Sequence, residues 1–256
     1  MNIRQSISRL RQFFFGNSSR AFGTVSAVLL VSLAVAPAKN HFSDWRHYQN
    51  QYVKFLHTRA EGATLEKHLE RGIQQIWLPD QGVTDRCTTC HVGLKEPSLE
   101  SVSRQPFRKH PVIPHSLTEF GCTVCHRGQG GATSVREAHN TTDAWEQPLL
   151  PAKYVESGCG QCHLAPLTGT PHLNEGRRLL AREGCVHCHN VKMPDGSKIM
   201  PDDDPPALTH ITEKTSREWI FAWLKDPKAY SSTATMPNFG LSDDAARDIS
   251  AFLISQ

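Results

Sequence analysis

The pattern Cys-x-x-Cys-His occurs four times in this chain of 256 residues, at Cys87 to His91, Cys122 to His126, Cys159 to His163 and Cys185 to His189, and it consumes all eight cysteines. Whatever fold the chain adopts must repeat one piece of covalent chemistry four times, because the pattern is the attachment signature of c-type haem. Two thiols three residues apart each add to one vinyl group of a porphyrin, and the histidine that follows becomes the proximal iron ligand. The expected attachment residues are therefore Cys87, Cys90, Cys122, Cys125, Cys159, Cys162, Cys185 and Cys188, and the expected proximal ligands are His91, His126, His163 and His189. Tetrathiolate zinc sites would use the cysteine pairs but place no demand on the next residue. Disulfides across such short spacings would be strained, and they too leave four histidines unexplained.

Composition agrees with four covalently attached haem c groups. Hydrophobic residues make up 38% of the chain and the mean hydropathy is −0.43, a modest apolar supply for one or two domains of this length. Porphyrins would complete such a core. Between Arg104 and Pro171 the sequence is rich in Gly, Pro, Thr and His and keeps neither a helical nor a strand period, so this stretch is expected to wrap cofactors instead of packing on itself.

The first forty residues carry a different instruction. Arg4, Arg9, Arg11 and Arg20 precede a run from Ala21 to Ala38 that is apolar or small throughout, the pattern of an export signal. A run of about 18 residues stands at the lower limit of a membrane span, and Ala36-Pro37-Ala38 is only a fair cleavage site. Segment 1–40 is read as a signal anchor or transmembrane segment, with a cleaved signal peptide as the alternative. In either case the haem-bearing part lies outside the cytoplasm, and the anchored form places the protein in a bacterial inner membrane with its haem domains in the periplasm. The whole chain has a net charge of +3, and five of its basic residues with no acid fall in 1–43, which leaves the remainder at −2. Haem propionates add to that negative charge, so nucleic acid is not expected as a partner.

Beyond the anchor, Asp44 to Ile76 has a helical period: Trp45, Tyr48, Tyr52, Phe55 and Leu56 recur at three- and four-residue intervals, Gly62 interrupts, and Leu65, Leu69 and Ile73 resume. Packing against the body of the protein explains such a stripe, and docking to a membrane partner is the second reading. From Leu173 the pattern predicts a helix over Asn174 to Glu183, the fourth haem motif, and a Pro-rich loop through Pro205-Pro206. A capping box at Thr215 to Glu218 then opens a helix with Trp219, Ile220, Trp223 and Leu224 on one face, stopped by Pro227. Met236-Pro237 follows, and a last helix from about Ser242 carries Ile249, Phe252 and Leu253.

This order of motif, loop and helix over 172–256 resembles class I cytochrome c. The resemblance implies that the first and last helices cross through Gly176 and Phe252, and that Met236 supplies the second iron ligand, with Met193 and Met200 as rivals. The segments "QIWLPDQGVTDRCTTCHVGL", "GCTVCHRGQGGAT", "REAH" and "CGQCH", preceded by Asp44-Trp45-Arg46-His47-Tyr48-Gln49, resemble the multihaem (tetrahaem) c-type cytochrome subunits that accompany some bacterial cytochrome bc-type quinol oxidoreductases. That second resemblance implies the subunits of such a complex as partners.

The fold class expected is mainly α. It comprises an N-terminal membrane anchor helix (1–40), a helical linker (41–80), an irregular haem-wrapped trihaem region (81–171) and a C-terminal all-α class I cytochrome c domain (172–256). Three haems remain to be ligated and the methionines lie elsewhere. Among the first three motifs the spare histidines are His110, His115 and His139, which are expected as distal ligands, with His57 and His68 in reserve; His172, His187 and His210 are read as surface residues. An iron held by two protein ligands has no vacancy for substrate and transfers electrons. The expected function is electron transfer from a membrane quinol-oxidising complex to a soluble or terminal acceptor, by a carrier and not an enzyme. A catalytic multihaem reductase or peroxidase is the alternative, but the lysine that often replaces a motif histidine in such enzymes is missing from all four motifs. A haem-based sensor would need an output module, and no segment reads as one.

Four intact motifs predict four covalent haems. Pyridine haemochrome analysis with intact mass should count four per chain after expression with a full maturation system, and fewer would contradict the reading.

Overall fold

The computed structural model of the chain describes residues 12, 18–139, 147–192 and 207–256. The fold is mainly helical, as expected, and the strands among the described residues form a single hairpin. Helix α1 (Ser18–His41) has no acid in its first turn, basic Lys39 and His41 in its last, and an exposed apolar surface that includes Phe22, Leu30 and Leu33. Basic residues at its C-terminal end complement the helix dipole. Its 24 residues at about 1.5 Å rise each exceed the roughly 30 Å of a bilayer core. With a mean hydropathy of 2.0 across the most apolar 18 residues, it is long and apolar enough to cross a membrane. Anchors and signal sequences share that property.

The chain forms two compact units, the first of residues 1–75, 86–112 and 133–135, the second of residues 76–85, 113–132 and 136–256. In the first unit, α2 (Asp44–Leu56) buries Trp45, Gln49, Tyr52, Val53 and Leu56, one stripe of an amphipathic helix. Tyr52 and Leu56 pack with Leu99 and Phe107, and Phe55 stacks on Phe107 with ring centres 5.7 Å apart. The helical reading of residues 44–76 needs correction beyond Leu56. There the Thr58 hydroxyl donates to the Phe55 carbonyl at 2.7 Å and the Arg59 amide to the Leu56 carbonyl at 2.8 Å. These bonds satisfy carbonyls of the last turn and close the helix. Only α3 (Gly62–Lys67) resumes it. Leu65 and Leu69 still reach the core, whereas Ile73 is 49% exposed.

The second unit opens with the antiparallel hairpin of β1 (Ile76–Leu78) and β2 (Val83–Asp85), paired Ile76 with Asp85 and joined by a turn that starts at Pro79. Ile, Trp and Leu in succession suit a strand, and proline at the first turn position keeps them out of a helix. Single helical turns follow: α4 (Leu117–Phe120), α5 (Thr123–His126), α6 (Val135–Ala138) and α7 (Ser157–Gly160). The last part of the chain holds α8 (Pro171–Arg182), α9 (Arg217–Lys225), α10 (Pro227–Tyr230) and α11 (Asp243–Ile254). Proline at the first position starts α8 three residues before the expected Asn174, because its missing N–H is an orphan there in any case. The expected capping box at Thr215 also needs correction. Ser216 is the cap, its hydroxyl accepting from the Trp219 amide at 3.1 Å, so Glu218 stands one position too early to reach back. Ser242 caps α11, accepting from the Ala245 amide at 3.2 Å, with Asp243 and Asp244 favourable at the positive end of the dipole.

Helices α8 and α11 cross backbone to backbone. A β-carbon on Gly176 would stand 1.9 Å from the Asp248 carbonyl oxygen and 3.1 Å from the Phe252 β-carbon. Around this crossing Leu173, Leu179, Leu180, Ile220, Leu224, Ile249, Phe252 and Leu253 form one core, which also takes in Leu150 and Tyr154 from upstream of α8. Gly176→Val would drive α8 off α11. Overpacking of this kind costs roughly 1–3 kcal/mol or more, so the denaturation midpoint of the variant followed by circular dichroism should fall clearly below the parent's.

Candidate functional site

Each Cys-x-x-Cys-His segment closes into one helical turn of the same shape. The histidine amide donates to the carbonyl of the first cysteine at 3.0 Å (His91 to Cys87), 2.9 Å (His126 to Cys122), 3.0 Å (His163 to Cys159) and 2.9 Å (His189 to Cys185). The second cysteine amide turns to the same carbonyl at 3.2 to 3.3 Å. Positions i, i+3 and i+4 of a helical turn share a face, so each turn presents two sulfurs and one imidazole on one side. None of the eight cysteines is paired in a disulfide; Cys162 and Cys188 are exposed and the other six half-buried.

Several of these sulfurs stand where burial disfavours a charge. Burial, aided by the Asp44 carboxylate, pushes the Cys90 thiol up to about 11. Burial also raises the Cys125, Cys159 and Cys185 thiols above their ordinary range. A sulfur bonded to a porphyrin carries no charge, so burial of this kind does not oppose such a bond. The residues present thus fit covalent haem.

Different devices position the turns. In the first unit, buried Gln49 donates to the Gly72 and Thr89 carbonyls at 2.7 and 3.0 Å and accepts from the Gly72 amide at 3.0 Å. The Thr89 hydroxyl, inside the first motif, donates to the Gln74 carbonyl and accepts from its amide, both at 2.9 Å. In the second unit, Asp85 is fully buried and its carboxylate accepts from the Cys122 and Thr123 amides at 2.7 and 2.8 Å. That bond pair caps the turn of the second motif with a charge at its positive end. The third motif lies against the second, where a β-carbon on Gly158 would stand 2.0 Å from the Cys125 carbonyl oxygen. On its other side, the Ser157 hydroxyl donates to the Ala251 carbonyl of α11 at 2.7 Å. The fourth motif leaves α8 through Gly184, and Cys185 and Val186 pack on the core.

Met236 packs on the same core, and its sulfur accepts a hydrogen bond from the Trp223 indole N–H at 3.0 Å. Trp223 is stacked on Trp219 with ring centres 4.8 Å apart. A thioether sulfur has two lone pairs, so one can be held by Trp223 while the other faces a metal. Met193 and Met200 lie outside the described residues. Of the histidines expected as distal ligands, His110 is in the first unit, its amide bonded to the Leu94 carbonyl at 3.1 Å and its Nδ1 2.7 Å from the Pro111 carbonyl oxygen. An imidazole fixed through one nitrogen to a carbonyl is oriented to ligate through the other. His139 follows α6, where the Ala138 carbonyl accepts from the Gln129 amide at 2.9 Å, just beyond the second motif. His115 packs beside Phe120 and His163. The reserve His57 is instead 2.7 Å from the Glu66 carboxylate and pulls its pKa down.

Gln49, Thr89 and Asp85, which hold motif turns, and Trp223, which holds the Met236 sulfur, are positions that the pattern of the sequence does not mark. Trp223 reads there as one more member of an apolar helix face, and Asp85 as an ordinary acid before a cysteine.

Residues 173–256 match the cytochrome c family. No curated protein and no solved structure matches the chain. The crossed helices, the Cys185 to His189 turn and the core that meets Met236 therefore make a cytochrome c domain, a class that holds haem c covalently with its iron and serves electron transfer. The chain carries that domain at its C-terminal end.

The Trp223 bond to Met236 predicts a tuning effect. If Met236 is an iron ligand, this N–H withdraws density from its sulfur and disfavours ferric iron, so Trp223→Phe should lower the midpoint potential of that haem alone. Met236→Ala should shift the same haem further and abolish the weak near-infrared sulfur-to-iron band.

Proposed function

We propose that the chain is a membrane-attached electron conduit bearing four c-type haems, which takes electrons from a cytochrome bc-type quinol oxidoreductase and delivers them to a soluble or terminal acceptor. The carrying observation is that all four Cys-x-x-Cys-His segments adopt one and the same turn. A structural or zinc-binding use of the cysteines would not require the same imidazole placement four times. When bound, the haem iron supplies a one-electron couple between ferric and ferrous states.

The residues of this chain hold and tune that couple. Cys87, Cys90, Cys122, Cys125, Cys159, Cys162, Cys185 and Cys188 are assigned to the thioether bonds, and His91, His126, His163 and His189 to the proximal side. Met236 is assigned to the distal side of the fourth haem, and His110, His115 and His139 to the other three. His/Met ligation raises a potential relative to bis-histidine ligation, so electrons flow toward the C-terminal domain. The close seating of the second motif on the third, and of the third on α11, supports a path in that direction. Apolar α1 supports the anchor, with residues beyond it outside the cytoplasm in the periplasm and the complex beside it in the inner membrane. The resemblance of the 44–163 segment to subunits of quinol-oxidising complexes supports the partner.

Redox titration with optical detection tests the assignment. Three lower potentials and one higher one are expected, with little carbon monoxide binding by the reduced protein. Strong carbon monoxide binding at one haem in the parent protein would favour a catalytic multihaem reductase or peroxidase instead.

A further inference from the structure

The rings of His115 and His163 are neighbours. Their centres are 5.8 Å apart and their planes are inclined at 39°. His163 is the motif histidine of the third Cys-x-x-Cys-His turn, and its backbone is fixed on both sides. Its amide donates to the Cys159 carbonyl at 3.0 Å, and its carbonyl accepts from Arg177 Nη2 at 3.2 Å. His115 comes from a distant part of the sequence and is steadied by Phe120, with ring centres 4.6 Å apart. Phe120 ends α4, whose cap Ser116 accepts from the Thr118 amide at 3.3 Å. Both imidazoles are half-buried.

A metal–imidazole bond is about 2 Å long and the ring centre lies roughly 1 Å beyond the ligating nitrogen, so two imidazoles on opposite sides of one metal have centres about 6 Å apart. The observed 5.8 Å is close to that spacing and sets His115 beside the motif histidine of the third turn.

We infer that His115 and His163 would both ligate a single iron, that of the haem carried by Cys159 and Cys162. The inference rests on the haem-bearing reading of the third motif, and it goes further by assigning one distal histidine to one haem. Each imidazole donates a lone pair to the iron, and no proton or electron is exchanged in forming the site. His110, in the other unit, and His139, beyond the second motif, are then ligands elsewhere.

The full-length, haem-loaded protein decides the matter. His115→Ala should keep four haems by pyridine haemochrome. One of them should turn high-spin in the electron paramagnetic resonance spectrum and bind carbon monoxide when reduced, and added imidazole should restore the low-spin signal. When Cys159 and Cys162 are both changed to Ser so that the third haem is missing, His115→Ala should produce no new carbon monoxide site. His115→Met should keep the haem six-coordinate and raise a single midpoint potential, which also decides the case if the alanine variant is not recovered. Four haems with an unchanged spectrum in His115→Ala, an unmoved potential in His115→Met, or a carbon monoxide site that persists without the third haem would each overturn the pairing. Fewer than four haems in the parent protein would overturn the four-haem reading instead.

Discussion

The hydrogen bond from each motif histidine amide to the carbonyl of the first cysteine governs much of what this chain can be. It winds five residues into one turn and so places two sulfurs and an imidazole on a common face. Without that turn the spacing of the residues would guarantee nothing, since an extended segment would throw the two cysteines and the histidine to different sides. The turn is short and cannot sustain itself, because helix nucleation is unfavourable and a single turn recovers few bonds. Something outside must hold it. Buried Gln49 and Thr89 do so for the first motif, Asp85 for the second, Ser157 and Gly158 for the third, and the core beneath Cys185 for the fourth.

These supports differ in kind, and the difference follows from what each neighbourhood can offer. The cytochrome c domain has long amphipathic helices and an apolar core, so its motif is held by packing. The first three motifs are themselves single turns, and buried polar groups that accept or donate hold them beside whatever packing their neighbours supply. The two short bonds from the Cys122 and Thr123 amides to Asp85 hold the second motif from the hairpin.

What could be read from the residues divides along the same line. The mainly helical class and the C-terminal cytochrome c domain were legible, because an amphipathic period, Gly176, Phe252 and the capping serine at 242 are local or regularly spaced signals. The break after Leu56 was not, since it depends on how Thr58 and Arg59 satisfy the end of a helix whose period continues in Leu65 and Leu69. Ser216 took the capping role from Thr215 by a shift of one residue, a resolution that propensity does not possess. Within the candidate site, the cysteines and their histidines are marked by covalent necessity. Gln49, Asp85 and Trp223 act across long stretches of sequence, and their roles exist only once the chain has closed.

The contact of Gly158 with Cys125 has one more implication. Because two backbones touch there with no side chain between them, the distance from one motif to the next is set by hard atomic radii, and a soft side chain cannot let it drift. In the proposed conduit, where tunnelling falls off steeply with separation, spacing fixed by bare main-chain contact would keep transfer between these two motifs insensitive to thermal fluctuation of the surface around them.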